Sequence, residues 1–364
     1  MKRYSLGLIG FGNVGQGLAQ VLSMKSDWLA EKYGVAFQIV AVSDFHRGSI
    51  YRKDGFDPDM LLQAVKSGES LESLACDAFG WSAQQMIAKS GANIIVEMSY
   101  TDLKTGQPAI SHVQQALESG KHVVTTNKGP IALAFTELDK LAAANGVQIG
   151  VEGTVMSGTP AIHLGLNVLD SAGITKIQGI LNGTTNYMLT KMENGASYAE
   201  ALADAQERGY AEADPTGDVE GIDAAGKVVI LAKMLLGADI GMDDVKRTGI
   251  SKITAADIKA AAENGERYKL VGSLEVRGGS IEACVAPMRL SLDHPLAHIG
   301  GATNAITYST ELMGDVTLVG AGAGRIETGY ALLADMLAIH KSQPKSQPEA
   351  EAFGFLSVEQ KEFA

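Results

Sequence analysis

The sequence predicts an α/β chain that begins with a doubly wound, parallel sheet and continues into a second, α+β unit. Three observations carry this. Short β-branched runs alternate with helical patterns from Tyr4 to about Val151, a Gly-x-Gly-x-x-Gly turn follows the first run, and the rhythm changes beyond Gly153. At 364 residues the chain exceeds the usual single domain, and an apolar fraction of 46% can furnish two cores.

The first unit has five strand candidates: Ser5 to Ile9, Phe37 to Val42, Asn93 to Glu97, His122 to Thr125 and Val147 to Val151. Between them, Leu18, Val21 and Leu22, then Ile110, Val113 and Leu117, then Leu138, Leu141 and Ala142 fall at helical spacing. The charged segment from His46 to Gly91 reads as an insertion with its own short helices.

After Gly153 the pattern predicts a helix near Pro160 to Asp170, a strand Lys176 to Leu181 and several helices through about Asn264. Two long strands, Tyr268 to Val276 and Ile281 to Pro287, follow and could pair across a dimer. A Gly-rich turn, Gly320 to Gly324, then opens a helix from about Thr328 to His340, a terminal βα unit of the kind that returns to the first domain. The tail repeats Lys-Ser-Gln-Pro at Lys341 and Lys345 and reads as irregular.

Composition narrows the function. A net charge of −12 and a pI near 5.1 leave no basic stripe for nucleic acid. Cys76 and Cys284 stand far apart with no Cys/His ladder, which suggests neither a disulfide framework nor a zinc site and fits a reducing cytoplasm. Glycines 10, 12, 15 and 17 break what would be the core of a signal peptide, and no apolar run approaches the roughly 20 residues of a membrane helix.

Gly10-Phe11-Gly12-Asn13-Val14-Gly15 stands after a strand and at the mouth of a helix, where a tight backbone turn lets helix N–H groups meet a pyrophosphate. This predicts a Rossmann-type dinucleotide-binding domain over 1–150, completed by about 315–340. A second α+β catalytic and dimerisation domain follows over 151–314, with a tail over 341–364. Asp44, ending the second strand, supplies a carboxylate for a ribose 2′-hydroxyl, at a spacing that implies a long first helix around Trp28. Arg47, Arg52 and Lys53 nearby could instead greet a 2′-phosphate, so NAD and NADP both stay open.

A dinucleotide site implies hydride transfer, which changes the charge on the substrate's reacting group, so the chemistry needs a proton donor and groups that hold the substrate. Lys128 follows the strand ending at Thr125, on the sheet edge where open α/β folds bind ligands; it could also cap that edge. Asp223 and Lys227 are four apart, acid first, and share a helix face; such pairs are often plain surface salt bridges. Here the helix continues Val228, Val229, Ile230, Leu231, apolar nearly all round, which places its start between domains. Glu212, Asp214, Asp218 and Glu220 lack EF-hand spacing and a histidine, which argues against a divalent-metal loop.

GFGNVG at Gly10, GKHVVTTNKGP at Gly120, GILNGTTNYML at Gly179 and GYAEADPTGDVEGIDAAGK at Gly209 together resemble the homoserine dehydrogenase family, from Leu6 to about Ala338. The resemblance implies NAD(P)-dependent interconversion of L-aspartate 4-semialdehyde and L-homoserine, a step of threonine, methionine and isoleucine biosynthesis, by a cytoplasmic homodimer. It implies Lys227 as proton donor and acceptor, and Lys128 near nicotinamide and substrate. Glu212 and Asp223 would hold the substrate amino group and orient the lysines, with Gly183, Thr184, Tyr210 and Asp218 completing the pocket. Ser99 would approach the nicotinamide and Gly322 the cofactor's other face.

It also implies a monovalent cation, sodium by expectation, held partly by main-chain carbonyls at Glu152, Val155, Ser157 and Thr159; Met156 and Thr159 depart from the small apolar residues many members carry there. Many members continue into a regulatory ligand-binding domain, so feedback through one is not expected here. Another amino-acid or amino-aldehyde oxidoreductase on the same scaffold is the main alternative. Aspartate-semialdehyde dehydrogenase would need an activated cysteine; Cys76 in a helical stretch and Cys284 in a strand do not look like one.

Overall fold

The computed structural model describes residues 1–343. Its first sheet is built from β1 (Lys2–Ile9), β2 (Val35–Asp44), β3 (Gly48–Phe56), β4 (Ala78–Phe79), β5 (Ile94–Glu97), β6 (His122–Thr125) and β7 (Ile149–Gly150). They lie in the order β4-β3-β2-β1-β5-β6-β7. β2, β1, β5, β6 and β7 run parallel. Their apolar side chains are buried on both faces: α1 (Asn13–Tyr33) covers Leu6, Leu8 and Val96, while α4 (Ala109–Glu118) and α5 (Lys128–Ala144) cover Ile9, Ile95 and Val123.

The segment after β2 departs from the expectation of short helices alone. It turns back as β3, antiparallel to β2, and adds β4, around α2 (Pro58–Lys66) and α3 (Ala83–Lys89). Charged residues in β3 disguise it: Arg52, Lys53 and Asp54 sit on an outlying strand where water reaches one side.

The second sheet contains β8 (Ile174–Ile180), β9 (Lys246–Arg247), β10 (Glu266–Arg277), β11 (Ser280–Ser291), β12 (Thr303–Thr310) and β13 (Gly314–Ala321), ordered β13-β12-β8-β10-β11-β9. Helices α6 (Ala161–Leu164), α7 (Gly183–Glu193), α8 (Tyr198–Glu207), α9 (Thr216–Val219), α10 (Ile222–Leu236) and α11 (Ala255–Glu263) accompany it. The two long strands pair with each other as a hairpin. Gly278 and Gly279, at φ 56° and 83°, form the two-residue turn that hairpins require, and β10 pairs with β11 along its whole length. β8 takes the other edge of β10 over Gly272 to Glu275.

The chain ends with α12 (Arg325–Ser342). Of the expected terminal βα unit only this helix returns to the first sheet, where Leu332, Leu333 and Met336 join the core under α1; β13 stays in the second sheet beside β12. The helices cross closely because both contribute glycine: a Cβ on Gly17 would lie 1.9 Å from the Arg325 carbonyl oxygen, and one on Gly329 2.5 Å from Gly17. Of the tail expected from residue 341, Lys341 and Ser342 belong to α12, and residues 344–364 lie outside the described residues. Among the described residues no helix is long and apolar enough to cross a membrane.

Candidate active site

The glycine turn divides its labour. Gly10, at φ 91°, passes so close to the end of β5 that a Cβ would lie 2.7 Å from the Met98 carbonyl oxygen. Gly15 is pressed against the Gly10 carbonyl in the same way. Gly12 has nothing within 4 Å of its would-be Cβ and caps α1 without a side-chain hydrogen bond, so the first N–H groups of that helix face open space. The geometry fits an anion there. Asp44 braces the turn: its Oδ2 accepts the Phe11 N–H at 2.6 Å, and its Oδ1 accepts those of His46 and Arg47 at 2.9 Å. Arg47 stays beside Asp44, whereas Arg52 and Lys53 are carried down β3, away from the edge where the glycine turn opens.

A cleft of about 270 Å³ runs from this turn into the second unit. Val14, Ser99, Lys128, Ser157, Lys227 and Gly322 all line it, although they come from six separate stretches of chain. Both lysines and the glycine turn are therefore neighbours.

Lys227 stands on the first turns of α10, with only 10% of its side chain exposed. Its Nζ donates to the Leu181 carbonyl at 2.6 Å and to Asp223 Oδ2 at 2.7 Å. Lys128, the first residue of α5, lies 3.5 Å from the other oxygen of Asp223. One carboxylate thus sits between two ammonium groups. Burial pushes Asp223 up, but the charges of Lys227 and Lys128 and hydrogen bonds from Lys227 and Asn182 outweigh it, holding the carboxyl well below the usual range.

Asn182 was not singled out by the sequence, yet its Nδ2 donates to Asp218 at 2.6 Å and to Asp223 at 3.0 Å while its Oδ1 caps α7 at Thr185. An asparagine just before Gly-Thr-Thr is an N-cap signal, and that cap is what aims its amide. Asp218 is pushed the other way: burial raises it and the Asp223 charge adds to this, against the hydrogen bond from Asn182 and the charge of Lys227. Two neighbouring carboxyls with opposite shifts are a mark of functional sites.

Gly183 and Thr184 begin α7 beside this group, and the Thr184 hydroxyl donates to the Tyr210 carbonyl at 2.7 Å, tying the helix to the acidic loop. Tyr210 itself is half exposed and stacks against Tyr187. Glu212 does not join the cluster. Its side chain is exposed and forms no ion pair with either lysine; the orientation expected from it comes from Asp223, Asn182 and the Leu181 carbonyl instead. Neither cysteine is near. Cys76 follows a short 3-10 turn rather than lying in a helix, and burial and the charges of Asp77 and Glu72 push its thiol up; burial also raises Cys284 in β11.

Glu152, Val155, Ser157 and Thr159 form a turn where the two units meet. Met156 and Ser157 adopt left-handed backbone at φ 58° and 54°, rare for residues with side chains. The Ser157 hydroxyl bonds to that of Thr328 at 2.7 Å, and Thr159 donates to the Ala321 carbonyl at 3.0 Å. The Glu152 carboxylate is engaged elsewhere, accepting the N–H groups of Ile162 and His163.

Comparison with known proteins matches residues 160–337 to homoserine dehydrogenase and residues 10–152 to the NAD-binding domain of homoserine dehydrogenase. The chain belongs to the homoserine dehydrogenase family. It is 46% identical to the NAD(+)-dependent homoserine dehydrogenase of Pseudomonas canavaninivorans, over 95% of this chain and 99% of that protein. Two crystallographic neighbours agree in fold. A putative homoserine dehydrogenase from Archaeoglobus fulgidus superposes with a TM-score of 0.82 at 35% identity, covering 93% of this chain and 99% of that one. A hyperthermophilic archaeal homoserine dehydrogenase mutant in complex with NADPH gives 0.81 at 30%, covering 95% and 100%. The cleft lined by Val14 and Lys227 lies across both matched stretches, with Val14, Ser99 and Lys128 from the first and Lys227 and Gly322 from the second.

Proposed function

We propose that this chain interconverts L-aspartate 4-semialdehyde and L-homoserine with NAD(P), and that Lys227 moves the proton at the reacting oxygen. The observation that carries the reading is the placement of Lys227, Asp223 and Lys128 on a cleft that opens onto the glycine turn. Gly10 to Gly15, Asp44, Ser99 and Gly322 would hold the dinucleotide, which supplies or accepts hydride when bound.

The rest follows from donor arithmetic. An ammonium has three N–H groups. Lys227 spends two on Leu181 and Asp223, so the third is aimed by the first two and serves the substrate oxygen. Asp223, held ionised, accepts one N–H and so fixes the direction of the remaining one; once that proton has passed to the oxygen, solvent restores it. Lys128 shares Asp223 only at 3.5 Å and retains protons for substrate or cofactor. Thr184, Gly183, Tyr210 and Asp218 complete the amino-acid pocket. Glu212 contributes to the substrate ammonium only if the turn carrying it closes over the bound substrate.

The reading extends to a monovalent cation at the Glu152, Val155, Ser157 and Thr159 carbonyls. In support, the left-handed turn at Met156 and Ser157 leaves the Val155 and Ser157 carbonyls without a hydrogen bond among the described residues. The other two accept one each, from Val155 and Ala161, and keep a second lone pair. A homodimer is also part of the reading; the edges open to it in the second sheet are β13, with exposed Val319, and β11, which pairs with β9 only at Cys284 and Val285.

Lys227→Ala tests the core of the proposal. Turnover of L-homoserine with NAD(P)⁺ should fall by about 10²–10⁴, the usual worth of a positioned acid or base, while a fluorescence titration finds dinucleotide affinity unchanged. Undiminished turnover removes Lys227 from the chemistry.

A further inference from the structure

Behind the cleft wall lies an ionisable pair that the reaction so far leaves unused. Glu97, the last residue of β5, has no exposed surface, and His112 of α4 is buried against it with Nδ1 2.8 Å from Oε2. The other carboxylate oxygen accepts both the Ser99 N–H, at 2.7 Å, and the Ser99 hydroxyl.

The same residue reaches the second strand end through its backbone. The Glu97 carbonyl accepts the Thr125 hydroxyl at 2.9 Å, and Thr125 Oγ1 accepts the Asn127 N–H at 2.9 Å. Asn127 closes the circuit: its Nδ2 donates to the Ser99 and Tyr100 carbonyls at 3.1 Å, and its Oδ1 caps α5 at Gly129. Lys128 stands between those two residues. Ser99 and Lys128, which both line the cleft, are thus fixed to each other by one hydrogen-bonded network rooted on Glu97 and His112.

Stability does not explain the pair. The preceding residues Ile94, Ile95 and Val96 are all buried, and an apolar side chain at position 97 would complete the strand; a buried polar pair seldom outdoes such packing. What the pair does supply is direction: one carboxylate oxygen, fixed because His112 holds the other, accepts both the N–H and the hydroxyl of a serine that could otherwise rotate. We infer that Glu97 and His112 are positioning residues for hydride transfer, holding Ser99 and, through Asn127, Lys128 at the nicotinamide end of the cleft. This rests on the assignment of that end of the cleft to the nicotinamide.

The test compares Glu97→Gln, His112→Gln, Ser99→Ala and the double variant Glu97→Gln/Ser99→Ala with the parent enzyme, by steady-state kinetics in L-homoserine and NAD⁺. Glutamine at 97 keeps the shape but offers only one acceptor end, so it cannot serve Ser99 as the carboxylate does without turning its amide toward His112. In both single variants of the pair, kcat should fall and the KM for NAD⁺ should rise by about tenfold, the lower end for outer-shell partners, while the KM for homoserine stays within about twofold. A structural role alone would lower the melting temperature and the active fraction and leave both KM values in place. The double variant should lose no more than the worse single one, because the two residues act along one chain.

Unchanged constants in Glu97→Gln and His112→Gln alongside an impaired Ser99→Ala overturn the positioning role and leave the site reading standing. An unimpaired Ser99→Ala removes Ser99 from the cofactor site and takes the inference with it. Fully additive losses in the double variant also overturn it.

Discussion

An added methyl at Gly12 meets no atom, whereas the same methyl at Gly10 meets the Met98 carbonyl in a backbone conformation that side chains avoid. The two glycines of one motif therefore fail differently. Gly12→Ala should cost at most about 1 kcal/mol of folding stability, the scale of an N-cap change, yet weaken NAD(P) binding at least about tenfold, because the space it fills is the ligand's. Urea unfolding and a dinucleotide titration on the same preparation check this; equal affinity would mean that no phosphate lies there. Asp218 provides the second residue-scale expectation. Its carboxyl is raised in the folded state, so the stability it contributes belongs to the protonated form and is lost as pH rises through the folded value. Asp218→Asn should accordingly raise the melting temperature at neutral pH, with the gain fading as pH falls through the folded value and gone by pH ~4, where the parent's own carboxyl is protonated, and should raise the KM for homoserine. A variant that melts lower than the parent at neutral pH would contradict the sign.

At the scale of elements, the crossing of α1 and α12 is set by glycine on both sides. Gly17→Ala has nowhere to place its methyl except against the Arg325 carbonyl, so the helices must separate; about 1–3 kcal/mol of stability should be lost, with dinucleotide affinity falling alongside because α1 carries the phosphate turn. Chemical denaturation with and without NAD(P)H reads both. This contact also shows what local sequence withholds. The parallel strands β1, β5 and β6 and the Asp223–Lys227 pair are written in periodicity and spacing. The Gly320–Gly324 turn likewise does run from strand to helix, but which sheet its strand joins is decided by β12, a partner whose Thr-rich face hides its period among polar side chains. Glu97 ends the run Ile-Ile-Val-Glu in plain view; only the fold brings His112 to it from fifteen residues along the chain.

For the molecule as a whole, the turn from Glu152 to Thr159 is where the two sheets' layers meet, with Ser157 on Thr328 of α12, Thr159 on Ala321 at the end of β13, and the Glu152 N–H on Asp335. A cation held by its carbonyls would stiffen all three contacts. Replacing sodium by choline at constant ionic strength should lower the melting temperature, by up to about 2.7 kcal/mol of stability if the ion is present at a hundred times its dissociation constant. Identical calorimetric traces in the two salts would leave the turn as a purely covalent hinge. The site is legible in the sequence as chemistry, in the lysines and acids, more than as placement: Asn182 and the Leu181 carbonyl orient Lys227, and neither has a side-chain type that announces a proton-transfer role.

The return of α12 to α1 has a consequence for how the protein is made. The nucleotide-binding layer precedes the helix that seals it by some three hundred residues, so Leu18 and Leu22 lack their α12 partners until that much more chain has been translated. Docking of α12, rather than completion of the first sheet, is then the step that closes the core behind α1 and the glycine turn it carries.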